Sequence, residues 1–189
     1  MREEPYKSGR ITVIETPEML EILISGKIPG WQFNALTLWQ LAWTVAGLFV
    51  ISQLFFGVAA DQKVFMYIWL AFWIYFEVKI GHAWLWRKSG KEIIKIAKDT
   101  TELRFEVPLR TRASKFKTQE INGVSNLEIV KGVFAKNYYE SFWVVGGETI
   151  GLQYHEKLYS FGRQLPPEDA ARLMRIVEKR LKAAKTGKL

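Results

Sequence analysis

The feature of this sequence that most constrains its fold is an uncharged, apolar run of twenty-five residues at positions 35–59, reading ALTLWQLAWTVAGLFVISQLFFGVA. A helix that crosses the hydrocarbon core of a bilayer needs about 20 such residues, so this run is long enough. A second apolar run begins at Val64, only four residues later, and continues to about position 85. The sequence therefore predicts a transmembrane hairpin, residues 31–86, with spans at about 35–59 and 64–85 joined by the turn ADQK.

The distribution of basic residues around these runs predicts the orientation of the hairpin. The connecting turn offers only Lys63, whereas the second run is followed by a cluster of five: Arg87, Lys88, Lys91, Lys95 and Lys98. Because basic residues favour the cytoplasmic ends of spans, we expect a multi-pass protein of the bacterial inner membrane with both termini in the cytoplasm. Indole rings favour the headgroup layer, so four tryptophans are expected at the inner interface: Trp31, Trp39, Trp84 and Trp86.

After the hairpin the hydrophobic pattern changes to that of short strands. Seven candidate strands are separated by turn-type residues, at positions 92–97, 102–107, 114–121, 124–130, 138–146, 149–155 and 157–162. An amphipathic helix follows at about 166–184, with Pro167 in its first turn. This order is that of a pleckstrin-homology-like (PH-like) domain. The predicted fold is an α+β membrane protein: a two-helix transmembrane hairpin plus a PH-like antiparallel β-barrel or sheet capped by a C-terminal helix.

The residues before the hairpin contain two more strand-like runs, within positions 11–27 and on either side of the tripeptide TPE. Since both ends of the hairpin are expected on one side of the membrane, a strand pair there can reach the later sheet. We therefore expect residues 1–30 to join the edge of that sheet, so that residues 1–30 and 87–189 form one cytoplasmic domain.

Several local motifs resemble those of a family of bacterial membrane proteins with a two-span hairpin and a PH-like (bacterial PH) cytoplasmic domain. The shared marks are an opening strand of pattern G-x-E-x-I-x-I and a late F-G-x-x-L-x-x-x-E/D-A. They stand here at Gly90, Glu92, Ile94 and Ile96, and at Phe161, Gly162, Leu165, Asp169 and Ala170. The architecture is also similar to that of the photosystem I assembly factor of cyanobacteria and chloroplasts. The resemblance implies accessory or assembly work within a membrane complex and assigns no catalytic residue.

The sequence carries little that is typical of an active site. It has no cysteine, which excludes disulfides, thiolate catalysis and iron–sulfur clusters. No glycine pattern matches a phosphate-binding loop, and the two histidines have no second metal ligand at helical or strand spacing. We therefore expect no enzymatic activity, no metal and no cofactor. One remote alternative is that His82, near Trp84 and Trp86, ligates a tetrapyrrole through a ring nitrogen.

Basic residues cluster in one predicted β-hairpin of the later sheet: Arg104, Arg110, Arg112, Lys115 and Lys117. Two interpretations stay open. They form a solvated strand face that resists edge pairing, or they contact anionic lipid headgroups or a partner, at about 1 kcal/mol per residue near the surface. Nucleic acid is not expected as a partner, because aromatic residues are not interleaved with these charges.

The most unusual polar residue in the hairpin is Glu77, which lies about 9 Å inside the second span by helical rise. Counting back from a turn at Ala60 brings it level with Trp43, between Gln40 and Thr44 on one face of the first helix. One interpretation is an internal hydrogen bond from Gln40 or Thr44 to a protonated Glu77. The other is a contact with a cation or hydrogen-bond donor of a partner subunit, since intramembrane acids are often functional.

Taken together, these features predict a non-catalytic integral membrane accessory or assembly subunit. Its partners would be other integral membrane proteins of a larger complex, with photosynthetic and respiratory complexes among the candidates. The alternative function is a lipid-binding PH-like module that uses the basic hairpin at the membrane surface.

Overall fold

The structure of the protein, a computed structural model, describes residues 6–56, 59–108, 110–127, 141 and 143–187. Three strands, β1 (Tyr6–Ser8), β2 (Ile11–Glu15) and β3 (Met19–Ser25), precede two long helices, α1 (Gly30–Phe55) and α2 (Ala60–Ser89). The strands β4 (Lys91–Ala97), β5 (Thr100–Val107) and β6 (Arg110–Lys117) follow, and a short 3-10 turn, Thr118–Glu120, leads on. The chain continues with β7 (Ile121–Asn126), β8 (Glu148–Tyr154), β9 (Lys157–Arg163) and the helix α3 (Pro167–Lys185).

The helices α1 and α2 pack side by side and antiparallel, and both are long and apolar enough to cross a membrane. Their 26 and 30 residues correspond to about 39 and 45 Å at 1.5 Å per residue. The predicted connecting turn ADQK was placed wrongly, because these four residues form the first turn of α2.

The first sheet has six antiparallel strands in the order β1-β2-β3-β4-β5-β6. Its central pair is β3 and β4, which run from Met19 opposite Ala97 to Ser25 opposite Lys91. The whole helical hairpin is therefore inserted between two neighbouring strands. As a result, the start of α1 and the end of α2 are held together at one end of the sheet.

The remaining strands form a separate sheet in the order β7-β8-β9, and the described residues contain no closed barrel. Of the predicted barrel or sheet, the described residues form open antiparallel sheets, and β3 from the N-terminal segment pairs with β4. The predicted strand 114–121 is displaced, since β6 ends at Lys117 and a 3-10 turn follows. Residues 128–130 and, from the predicted strand 138–146, residues 138–140 and 142 lie outside the described residues. Residues 141 and 143–145 form bends and a turn, and residue 146 has no regular secondary structure.

One hydrophobic core joins both sheets and α3. It contains strand residues such as Ile22, Ile94, Ile121 and Phe161, all of them fully buried or nearly so. From α3 it takes residues at helical spacing: Ala170, Leu173, Val177 and Leu181. The C-terminal helix predicted at 166–184 is observed at Pro167–Lys185, and its apolar face is the one that the sequence period predicts.

Candidate functional site

The junction between the helix pair and the first sheet is built around Trp86, which is only 2% exposed. Gly26 and Gly90 pack directly against it. A Cβ at Gly26 would come 2.4 Å from the Trp86 carbonyl oxygen, and one at Gly90 would come 2.2 Å from the indole ring. Because Gly26 and Gly90 have no side chains, the sheet covers the Trp86 ring, which is buried within the protein. The level of Trp86 at the inner interface stays a prediction. The helices meet the sheet by direct packing.

A polar cluster crosses the helix pair at Glu77. Gln40 Nε2 donates to Glu77 Oε1 at 2.6 Å, and Thr44 Oγ1 lies 2.8 Å from the same oxygen. The Thr44 hydroxyl also lies 2.8 Å from the Gln40 carbonyl oxygen, and its single hydrogen can serve only one of these two contacts at a time. Glu77 Oε2 and Gln40 Oε1 are buried without a hydrogen-bond partner among the described residues. The structure thus brings Glu77, Gln40 and Thr44 together inside the pair.

Tryptophan indoles make a second set of polar contacts between the helices, which sequence reasoning missed. Trp73 Nε1 donates to the Trp43 carbonyl oxygen at 2.9 Å, and Trp43 Nε1 donates to the Trp73 carbonyl oxygen at 3.4 Å. Nearer the sheet, Trp84 Nε1 donates to Thr37 Oγ1 at 2.9 Å. The available signal was the near-symmetric placement of Trp43 and Trp73 about the connecting turn. These bonds direct polar atoms into the pair and leave its outer surface apolar.

An apolar cavity of about 420 Å³ opens beside this polar cluster. It lies between the helix pair and the segment before β8, and its lining is Trp39, Trp43, Phe76, Ile80 and Trp143. The Trp143 ring meets Trp39 edge-on with 5.4 Å between ring centroids, and Trp39 stacks on Trp43 at 5.2 Å. Stacked and edge-on rings at these distances hold one another in place. The cavity is a preformed aromatic site in which Trp39 is half-buried.

The five predicted basic contact residues do not form one patch. In an antiparallel pair, opposite residues share a face and alternate residues change face. Phe116 points into the core, so Arg110 and Arg112 share its face, whereas Lys115 and Lys117 lie on the other. Arg104, opposite Ala113, also lies on that other face.

Three of these cations share their face with carboxylates. Arg104 contacts Glu102 at 2.7 Å and Glu106 at 3.4 Å, and the hydrogen bonds to Glu102 and then Glu106 raise the pKa of Arg104. The hydrogen bond from Lys117 to Glu120, at 3.0 Å, raises the pKa of Lys117. The other three of the five, Arg110, Arg112 and Lys115, are exposed and form no ion pair with a described carboxylate.

Other candidate ligands are more isolated. His82 is exposed on α2 and makes no hydrogen bond with any described residue. Among the described residues no group of three or more His, Cys, Asp or Glu could hold a metal ion. Ligation of a tetrapyrrole by His82 therefore stays a prediction.

Glu92 of the G-x-E-x-I-x-I motif is fully buried at the contact between the two sheets. Its carboxylate accepts the backbone N–H groups of Gly162 at 2.6 Å and Arg163 at 3.1 Å. The Arg163 guanidinium lies 3.8 Å away. Burial raises the pKa of Glu92, against the opposing effects of Arg163 and the two N–H groups. Glu92 thus joins β4 to β9 and has a structural role.

Comparison of the chain with protein-family models, curated proteins and solved structures finds no match. The resemblance to PH-like bacterial membrane proteins stays a prediction.

Proposed function

We propose that this protein is a non-catalytic accessory or assembly subunit, anchored in a membrane by α1 and α2 and bound there to other integral membrane proteins. The observation that carries the proposal is the outward apolar surface of the helix pair. Six large side chains along both helices are between 63% and 81% exposed: Leu38, Phe49, Phe55, Phe65, Phe72 and Val78. No described residue of the sheets covers these six side chains, which favours their burial against lipid or another apolar helix.

The aromatic cavity supports a protein partner in addition to lipid. Helices associate in a bilayer through close packing, because lipid chains are as apolar as the side chains they would displace. A cavity with fixed aromatic walls, such as the one formed by Trp39 and Trp43, offers that packing to side chains of a partner helix. Glu77 is bonded within the pair, so the partner need not supply a cation.

The native assembly can be tested directly. The full chain is purified from its own membranes in mild detergent, and co-purifying membrane proteins are identified by mass spectrometry. Trp39→Ala opens the cavity and is expected to reduce partner recovery, whereas Trp31→Ala, a tryptophan that is 69% exposed outside the cavity, is the matched control. Thermal melting of each variant separates a lost contact from a lost fold. Recovery of a lone protein would contradict the proposal.

We also infer that the sheets face the cytoplasm of a bacterial cell. Basic residues such as Arg87, Lys88 and Lys91 lie where the helices meet the sheet, and among the described residues only Lys63 lies near the opposite end. Because the chain has no cysteine, single-cysteine variants report topology cleanly. In spheroplasts, Gln62→Cys should react with a membrane-impermeant maleimide and Ser89→Cys only after lysis. The reverse pattern would show the opposite orientation.

The PH-like kinship of the sheet domain belongs to the same proposal. It is supported by the succession of short antiparallel strands β4–β9 followed by the amphipathic helix α3, which packs on their shared core.

A second candidate function, contact with anionic headgroups by the β5–β6 hairpin, is favoured by the exposed Arg110 and Arg112 at its tip. Because β3 pairs with β4, residues 87–189 alone would lose half of the first sheet, so the test uses the full chain. A fluorophore is attached to Thr111→Cys in the full chain, which is placed in nanodiscs. Spin-labelled anionic lipid should quench its fluorescence, and the quenching should be weaker in high salt or when Arg110→Gln and Arg112→Gln are introduced. Salt-independent quenching would contradict this function.

A further inference from the structure

A second cavity, of about 260 Å³, lies where the first turn of α1 meets the sheet. Its lining includes three cationic side chains, those of Arg10, Lys27 and Arg87, together with the polar side chains of Gln32 and Gln164. None of the described residues that line it is acidic. The cations come from β1–β2, the β3–α1 connection and α2, so three separate segments direct positive charge into one space.

Arg87 is the strongest sign that this space is built for an anion. The residue is only 2% exposed and forms no ion pair with any described carboxylate. Its terminal nitrogens donate to neutral acceptors, the carbonyl oxygens of Gly26 at 3.5 Å and Val144 at 3.3 Å and the side-chain oxygen of Gln164. Its Nε is buried without a hydrogen-bond partner. A buried cation that lacks an opposite charge is costly, and a bound anion would remove that cost.

Arg10 is held in place beside it. Its guanidinium donates to the carbonyl oxygens of Ser25 and Arg163, both at 2.8 Å, and to that of Gln164 at 3.3 Å. Burial lowers the pKa of Arg10, and the carboxylates of Glu92 and Asp169 act in the opposite direction.

The balance of charge at the cavity stays positive. Glu92 is already engaged by Arg163 and two backbone N–H groups, and neither Glu92 nor Asp169 lines the cavity. Arg10 and Arg87 also repel each other.

The N-terminus of α1 adds a third source of positive potential. Its N-cap is Pro29, which makes no side-chain cap, and its first turn carries no acidic residue. Pro29 and Gln32 both line the cavity. Anions bind favourably at such a helix end, where N–H groups and the helix dipole point outward.

From the buried Arg87, the adjacent Arg10 and the N-terminus of α1, we propose that the cavity binds a phosphate group. Two guanidinium groups, an ammonium group and a helix end match the several oxygens and the charge of a phosphate ester. The phosphate belongs either to a lipid headgroup or to a soluble phosphate. Only the lipid source rests on the proposed membrane insertion, which would place this end of the hairpin at headgroup level.

The test uses the full chain in detergent, with binding measured by calorimetry at constant ionic strength. One arm titrates inorganic phosphate and the other a short-chain phosphatidylglycerol. Saturable binding in both arms shows that the cavity takes phosphate from either source, and binding of the lipid alone shows that it takes a headgroup. Absence of binding in both arms overturns the proposal. The maleimide topology test reports on membrane insertion separately.

Variants assign the binding to this cavity. Lys27→Gln removes an exposed cation of the lining and should weaken binding about fivefold. Lys88→Gln is the matched control, since Lys88 is also exposed but lies 4.6 Å over the Trp84 ring and outside the cavity. Arg87→Gln should weaken binding about tenfold or more. If that variant does not fold, the comparison of the two lysine variants still decides, and equal effects would overturn the proposal.

Discussion

Gly47 of α1 is the position at which one added methyl group should most disturb the helix pair. The residue is buried against the Trp73 ring, and a Cβ there would lie 1.9 Å from Trp73 Cε2 and 2.3 Å from both Cζ2 and Nε1. These atoms belong to a rigid indole that is itself only 9% exposed. Gly47→Ala therefore cannot be accommodated by a small rotation of a flexible side chain.

The size of the effect follows from how far the ring must move. Carbon atoms in ordinary contact are about 3.5 Å apart, so the indole must retreat by about 1.6 Å. Trp73 Nε1 donates to the Trp43 carbonyl oxygen at 2.9 Å, and a shift of that size breaks the bond. Overpacking costs about 1–3 kcal/mol and a lost interhelical hydrogen bond about 0.6 kcal/mol. Alanine recovers up to about 1 kcal/mol of helix propensity, so a net loss of about 1–3 kcal/mol is expected.

Gly81→Ala is the matched control, since the nearest atom to a Cβ there is Gln40 Nε2 at 4.0 Å. It should leave the free energy of unfolding unchanged or raise it slightly. Both variants are unfolded reversibly in mixed micelles with increasing sodium dodecyl sulfate, and tryptophan fluorescence follows the transition. If Gly47→Ala and Gly81→Ala differ by less than about 0.5 kcal/mol, the close packing of α1 against the Trp73 ring is refuted.

Three further predictions concern carboxylates. Glu77→Gln keeps an oxygen acceptor for the donors of α1, so the free energy of unfolding in the same assay should change by less than about 1 kcal/mol. Loss of co-purifying partners at unchanged stability would instead indicate that Glu77 contacts a residue outside the helix pair. Glu92→Leu leaves the buried N–H group of Gly162 and the part-buried N–H group of Arg163 without an acceptor, and it should lower the free energy of unfolding in urea by about 2–5 kcal/mol. An unchanged free energy of unfolding would contradict the structural role of Glu92. Hydrogen bonds from Tyr154 and then Lys117 lower the pKa of Glu120. Ionised Glu120 therefore stabilises the folded protein above the ordinary glutamate pKa, and this stabilisation is lost as the pH falls through the lowered pKa. Glu120→Gln should remove the part of the acid dependence of the melting temperature that comes from Glu120. If the melting temperature of the variant depends on pH as that of the unaltered protein does, Glu120 makes no such contribution.

Several features could be predicted from the sequence because they depend on residues close together in the chain. The two long helices follow from uninterrupted apolar runs, and the buried face of α3 follows from apolar residues at helical spacing. The level of Glu77 with Gln40 and Thr44 follows from helical rise counted back from a short turn. In each case the geometry of the helix alone determines which side chains share one of its faces or lie at the same level along the helix pair.

Only the tertiary structure decided the arrangement of the strands and the surroundings of the charges. The pairing of β3 with β4 places the helical hairpin between two neighbouring strands of an open sheet. Phe116 lies in the core, so Arg110 and Arg112 lie on the opposite face from the other basic residues of their hairpin. Whether a charged residue is solvated, paired or buried depends on segments distant in sequence that fold around it. From the sequence alone, Arg87 is predicted to be one of several cations at the membrane interface. In the folded protein Arg87 is buried in the lining of a cationic cavity, where it donates hydrogen bonds to Gly26, Val144 and Gln164.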